Sequence, residues 1–153
     1  MKLRHLFAVI APVLLVAAAA FAADEIKLEG IKCIMNPKAP AKAEKSVDYK
    51  GGKVFFCCDN CPKGFAKKVA DGDKVVAAKG NAQLVATKQA KQAACPFSGG
   101  DINPDASVTV AGATVYFCCA NCQGKAKGLS GDEQLTTVLG DAAFAKAGFK
   151  VGK

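Results

Sequence analysis

Apolar residues run almost unbroken from Leu6 to Ala20, and beyond Ala22 they interleave with polar ones. The leading run follows Lys2 and Arg4 and ends at Ala20-Phe21-Ala22. A cationic start, an apolar stretch and a small-x-small junction together predict a cleaved, bacterial-type signal peptide over residues 1–22. The run is shorter than the roughly 20 residues a spanning helix needs, so no stable membrane anchor is expected after cleavage. No cysteine follows the junction to accept a lipid. The mature protein is therefore expected to be exported, periplasmic or secreted.

Downstream, Ser46-Val47-Asp48-Tyr49 and Lys53-Val54-Phe55-Phe56 are β-prone runs flanking Gly51-Gly52, and they predict a hairpin with that glycine pair as its turn. Ser107 to Val110 and Thr114 to Phe117 predict a second hairpin around Gly112-Ala113. A short helix is expected after each. In the first, Asp59 or Asn60 would cap the helix and Phe65 and Val69 would face inward; in the second, Asn121 would cap a helix weakened by Gly124 and Gly128. Residues 81–94 are rich in helix formers and free of Gly and Pro, which predicts a helical connector. Ser130-Gly-Asp-Glu133 has the form of a capping box opening a helix through Leu139. A last short helix, Ala142 to Ala147, is expected to pack Phe144 against the second hairpin and so complete its core.

The two hairpins belong to one cassette that occurs twice. At an offset of 61 residues, Ser46, Val47, Gly51, Val54, Phe56, Cys57, Cys58, Asn60 and Cys61 coincide in type with Ser107, Val108, Gly112, Val115, Phe117, Cys118, Cys119, Asn121 and Cys122. With Cys33 upstream of the first and Cys95 upstream of the second, all eight cysteines are assigned, four to each copy. Modules of this size bury too little apolar surface to fold unaided and generally need disulfides, a metal or a partner.

Charge and composition narrow the chemistry. Of 21 Lys and Arg, the leader takes Lys2 and Arg4, leaving 19 against 13 acidic residues, a net +6. The lysines are scattered with few aromatics between them, which describes a solvated surface and argues against nucleic-acid binding. The single histidine, His5, lies in the leader, so the mature chain lacks the usual general base and the commonest nitrogen ligand. No Ser-His-Asp or Cys-His arrangement can form and no Gly-rich phosphate loop is present, so no enzyme is expected. Sulfur remains as the soft donor, with the Met35 thioether a marginal addition.

Four sulfurs per copy match tetrahedral Zn²⁺, and two or three would satisfy Cu⁺. Cys58-x-x-Cys61 and Cys119-x-x-Cys122 lie where a strand gives way to a helix, and helix N-termini stabilise thiolates. Neighbouring side chains on a strand point to opposite faces, so Cys57 and Cys58, or Cys118 and Cys119, can share an ion only if the strand breaks at one of them. Which of each pair is the ligand stays open. Two other uses of the same cysteines are a disulfide-stabilised interaction module, in keeping with an oxidising compartment, and a thiol-disulfide oxidoreductase built on the two C-x-x-C segments. Adjacent cysteines bridge each other poorly, and no thioredoxin-like βαβ pattern surrounds the segments.

Cys95-Pro96-Phe97-Ser98-Gly99, followed by Val115-Tyr116-Phe117-Cys118 and Cys122, resembles the YHS and TRASH-type heavy-metal-binding domains; Cys33 with Phe55-Phe56-Cys57 and Cys61 repeats the pattern. The resemblance covers residues 33–80 and 95–128. It implies a small β-hairpin-plus-helix fold of the treble-clef or zinc-ribbon kind, with Cys33, Cys57 and Cys61, and likewise Cys95, Cys118 and Cys122, as metal ligands. Many such domains carry a second cysteine where this chain has Asn36 and Ser98, and Cys58 and Cys119 would supply the fourth sulfur in its stead. The expected architecture is α+β: a first module over residues 23–80, the connector 81–94, and a second module over residues 95–153. The expected function is binding of Zn²⁺ or Cu⁺ in metal trafficking, resistance or sensing, with a metal transporter or other metal-handling protein as partner.

Overall fold

A computed structural model describes residues 26–152, and the signal sequence expected over residues 1–22 lies outside them. In chain order the elements are β1 (Lys42–Tyr49), β2 (Gly52–Phe56), α1 (Asn60–Ala70), α2 (Lys74–Ala86), β3 (Ala90–Lys91), β4 (Asn103–Val110), β5 (Ala113–Phe117), α3 (Ala120–Lys127), α4 (Gly131–Leu139), α5 (Asp141–Lys146) and β6 (Lys150–Val151). The class is α+β. The strands form three two-stranded antiparallel sheets, β1 with β2, β4 with β5, and β3 with β6. No helix among the described residues is long and apolar enough to cross a membrane.

The two hairpins have the same register at the 61-residue offset: Ser46 pairs with Phe55 and Val47 with Val54, as Ser107 pairs with Tyr116 and Val108 with Val115. Each has an irregularity at the same place, between Lys42 and Ser46 and between Asn103 and Ser107. The turns fall one residue earlier than the glycine pattern predicts. Lys50 and Gly51 carry positive φ in the first, Ala111 and Gly112 in the second, the signature of a two-residue turn matched to strand twist. Gly52 is a strand residue, small for a packing reason. A Cβ there would stand 2.7 Å from Leu84 Cδ2 and 2.9 Å from Val151 Cγ1.

An isolated two-stranded hairpin is marginal in water, so each needs helices against its apolar face. Phe65 of α1 is buried between Tyr49 and Phe56, with ring centroids 5.2 and 5.5 Å away, and Val69 packs on the same core. Asp59 precedes α1 but gives it no side-chain cap; its carboxylate is taken by Lys45 at 2.6 Å. Cys119, not Asn121, occupies the cap position of α3, and Ser130 caps α4 by position only, without the side-chain bond of a capping box.

The largest departure concerns the expected connector. Its helix begins at Lys74, where Asp73 accepts from the Val75 and Val76 amides, and ends at Ala86, so residues 87–94 leave the helix. α2 buries Val76, Ala78, Gly80, Asn81, Ala82, Gln83 and Leu84, which is nearly its whole circumference. Such a helix lies in a core, where packing on all sides replaces the one-sided apolar stripe of a surface helix. Val54, Phe56 and Phe65 of the first cassette and Val115, Phe117 and Ala126 of the second join one hydrophobic cluster with Leu84 of α2 and with Leu135, Val138 and Leu139 of α4. Phe144 of α5 stacks on Phe149 and lies under the Lys50 ammonium of the first hairpin turn, 5.3 Å from its ring centre, so it reaches the first cassette and not only the second.

Candidate metal centres

β2 ends at Phe56 and α1 begins at Asn60, so Cys57 and Cys58 occupy the bend between them and Cys61 the first turn of the helix. The ladder that would send adjacent side chains to opposite faces has ended, yet the pair still divides: Cys57 is half-buried and Cys58 exposed. Cys33 comes from a loop that folds back on itself, its amide donating to Ala39 O at 3.0 Å beside the Lys32–Pro40 bridge. The result is a triad, Cys33, Cys57 and Cys61, whose Sγ atoms all lie within 4.8 Å of one another.

The second copy does the same. Cys95 sits in a turn closed by its amide to Gly100 O at 2.8 Å and by the Gly99 amide to Cys95 O at 2.8 Å, Gly99 taking the positive φ this requires. It joins Cys118, which follows β5, and Cys122 in α3, again with all sulfurs within 4.8 Å. Cys33 and Cys95 are fully buried, and all eight cysteines are free thiols. Cys57 and Cys61 are 3.7 Å apart, Cys118 and Cys122 3.6 Å. Zinc–sulfur bonds of about 2.3 Å in a tetrahedron put sulfurs roughly 3.8 Å apart, so these edges already have the length an ion requires.

Neither Cys58 nor Cys119 belongs to a triad. Cys58 Sγ stands 3.3 Å from Cys61 Sγ on the solvent side, and Cys119 Sγ 3.6 Å from Cys118 Sγ. Met35 packs partly buried against the core beside Gly64.

The thiols of a triad do not titrate alike. Burial raises the pKa of Cys33, but bonds from the Cys57, Met35 and Asn36 amides outweigh it and the net shift is downward. Burial likewise opposes ionisation of Cys95, and the Ser98 hydroxyl with the Ser98, Cys118 and Phe97 amides brings it down to about 6. Three of their partners move the other way: desolvation and then hydrogen bonding to neighbouring sulfurs raise Cys57 and Cys61, and push Cys122 up to about 12. Cys58 falls to about 7 through the Cys61 thiol and the Cys61 and Asn60 amides, and Cys119 falls through the Cys122 amide and the Cys118 thiol. The first triad thus favours one thiolate, Cys33, nested in amides while Cys57 and Cys61 keep their protons, because adjacent like charges resist a second ionisation. A cation removes that obstacle, and loading would release protons.

No family model, curated protein or solved structure matches this chain. The chemistry therefore rests on the residues themselves.

Two of those residues carry no signal in the cassette. Gln83 of α2, buried, accepts from the Phe55 amide at 2.6 Å and donates to Phe55 O at 3.0 Å and Lys32 O at 3.1 Å. It joins the strand two residues before Cys57 to the loop one residue before Cys33. Gln92 does the same for the second triad, accepting from the Tyr116 amide at 2.9 Å and donating to Tyr116 O at 2.7 Å and Ala94 O at 2.8 Å. Tyr116 is Phe55 at the 61-residue offset, and Ala94 precedes Cys95 as Lys32 precedes Cys33, but the glutamines are nine residues apart. The same clamp therefore comes from unrelated positions. The hint in the sequence is confined to Gln83, a glutamine between Ala82 and Leu84 of α2; Gln92 lies outside any helix.

Proposed function

We propose that the protein binds two soft or borderline metal ions, Zn²⁺ or Cu⁺, one at Cys33, Cys57 and Cys61 and one at Cys95, Cys118 and Cys122. One observation carries the reading: in each copy a buried upstream cysteine meets two cysteines of the strand-to-helix junction with sulfurs within 4.8 Å. Three thiolates suffice for Cu⁺, and a fourth ligand completes a Zn²⁺ site. The resemblance of both cassettes to YHS and TRASH-type domains supports treating each as a treble-clef or zinc-ribbon-like unit. With the export signal read over residues 1–22, the protein would work outside the cytoplasm in metal trafficking, resistance or sensing. It would receive or deliver the ion through a metal-handling partner and catalyse no reaction of its own.

Native mass spectrometry of the reduced full chain tests this. Two bound ions are expected, with Cys33→Ser and Cys95→Ser each removing one. Protein from its own compartment that carries intact disulfides and no metal would reject the reading in favour of a disulfide-stabilised interaction module.

A further inference from the structure

Cys58 and Cys119 occupy equivalent positions in the sequence, but the structure hydrogen-bonds them to different sulfurs, Cys58 to Cys61 and Cys119 to Cys118. We propose that Cys58 is an oxidation site for disulfide-class compounds, and that its closure onto Cys61 dismantles the first metal centre before the second is affected. The inference rests on the metal reading above for its consequence, and on sulfur geometry for the oxidation itself.

Cys58 is exposed and within reach of a bulky reagent, whereas Cys33, Cys57 and Cys61 are buried or half-buried. Its Sγ already stands 3.3 Å from that of Cys61, across the entry to α1. A disulfide needs about 2.05 Å, so side-chain rotation must bring the two sulfurs together by a little over 1 Å. Cys61 is shared between this pair and the triad, where it lies 3.7 Å from Cys57. A bond to Cys58 therefore withdraws one of three ligands.

In the second cassette, Cys118 Sγ donates to Cys119 Sγ, its chain neighbour, at 3.6 Å, and Cys119 borders Cys122 as well. Bridging adjacent residues strains the backbone between them. The Ser98 hydroxyl further holds Cys118 at 3.2 Å, a contact for which the first cassette has only Asn36, whose side-chain oxygen accepts instead from the Lys38 amide. The same four-cysteine cassette is thus set to oxidise readily in one copy and reluctantly in the other.

The step balances with a disulfide RSSR as oxidant. Cys58 sulfur attacks one sulfur of RSSR, the S–S bond breaks, and RS⁻ leaves. Cys61 sulfur then attacks Cys58 Sγ in the mixed disulfide, and the second RS⁻ leaves. Two protein sulfurs lose two electrons in all and the oxidant becomes two thiols. In the metal-free chain their protons come from Cys58 and Cys61. In the loaded chain the Cys61–metal bond breaks in the second step, and that leaving thiolate takes its proton from water.

The test is titration of the reduced, zinc-loaded full chain with oxidised glutathione, reading released zinc with a colorimetric chelator and mapping disulfides by peptide mass. One of the two ions is expected to leave in step with a Cys58–Cys61 linkage. Cys58→Ser should load two ions and hold both under the same treatment, while Cys119→Ser should release one as the parent does. A Cys58→Ser chain that loads only one ion would show Cys58 to be a ligand and overturn the proposal. So would a first linkage in the second cassette, or glutathione that stays on Cys58 without exchange. If the chain takes up no zinc, the metal reading fails by itself. The same map on metal-free protein then decides the oxidation site: Cys58–Cys61 forming first upholds it, and any other first pair overturns it.

Discussion

The two cassettes build the same triad on the same hairpin and hold it by different means. In the first, α1 brings Phe65 against Tyr49 and Phe56, so the helix carrying Cys61 is anchored by aromatic packing. In the second, α3 buries only Ala126, and hydrogen bonds replace apolar area: Gln123 donates to Ser107 O at 2.9 Å, and Gln134 of α4 to Ala126 O at 2.8 Å. Phe97, from the turn after Cys95, packs on Phe117 with ring centroids 5.3 Å apart. The comparison teaches that cysteine spacing and hairpin register specify the triad, while its support is drawn from whatever the surrounding chain offers.

The comparison is broken most severely by removing what both halves share. Truncation after Ser130 deletes Leu135, Val138, Leu139 and Phe144, all buried. At about 1.5–3 kcal/mol each, that is roughly 6–12 kcal/mol, comparable with the whole stability of a domain. Because α4 packs on α2 as well as on α3, the expected result is loss of both proposed metal sites together with helical circular dichroism, since affinity in so small a fold is coupled to folding. A truncated chain that keeps the first ion with unchanged affinity would show that the first cassette stands alone.

A sharper comparison sets the two clamps against each other. Gln83→Ala leaves the buried Phe55 amide and carbonyl without this partner, at about 1–3 kcal/mol for each, and also frees the part-buried Lys32 carbonyl. A loss of about 2–6 kcal/mol is expected in urea unfolding of the reduced, metal-free protein. Gln92 is half-buried, so water can replace part of what Gln92→Ala removes, and about 1–2 kcal/mol is expected. Each variant should weaken zinc binding at its own triad by freeing the loop that carries Cys33 or Cys95. Equal losses, or the reverse order, would mean that burial does not separate the two clamps.

These supports mark where the sequence was legible and where it was not. The hairpins, the α+β class and the inward face of α1 followed from local alternation and from Phe65 and Val69. Both triads are drawn from cysteines visible in the repeat, and Cys57 rather than Cys58 of the adjacent pair lies in the first. The glycine pattern misled at Gly52, where the missing Cβ makes room for Leu84 and Val151 while Lys50 takes the positive φ of the turn. Residues 81–94 read as a connector because a helix packed on every side, as α2 is up to Ala86, has no apolar stripe, and polar Asn81 and Gln83 imitate a surface. Those same residues serve long-range partners, which no local pattern encodes.

The finest distinction between the cassettes lies in their turns. Lys50 of the first donates to Asp141 at 2.6 Å and Asn81 at 3.0 Å, and Asn81 donates to Asp141 at 2.9 Å, so the first hairpin is tied to α2 and α5. Ala111 stands at the equivalent position of the second and brings no cation. Burial opposes ionisation of Asp141, but the Lys50 and Asn81 bonds prevail and lower its pKa. A carboxyl whose folded pKa lies below its unfolded value of about 3.9 adds stability that is fully present above that value and lost as pH falls through the folded pKa. Asp141 is largely exposed, so its share is small, and Asp141→Asn should cost under about 1 kcal/mol near neutrality. Denaturant midpoints of parent and variant should differ slightly at pH 7 and pH 5 and converge by about pH 2. A gap that widens on acidification would reverse the sign of this linkage and leave the Lys50 contact with no part in holding the first hairpin to α5.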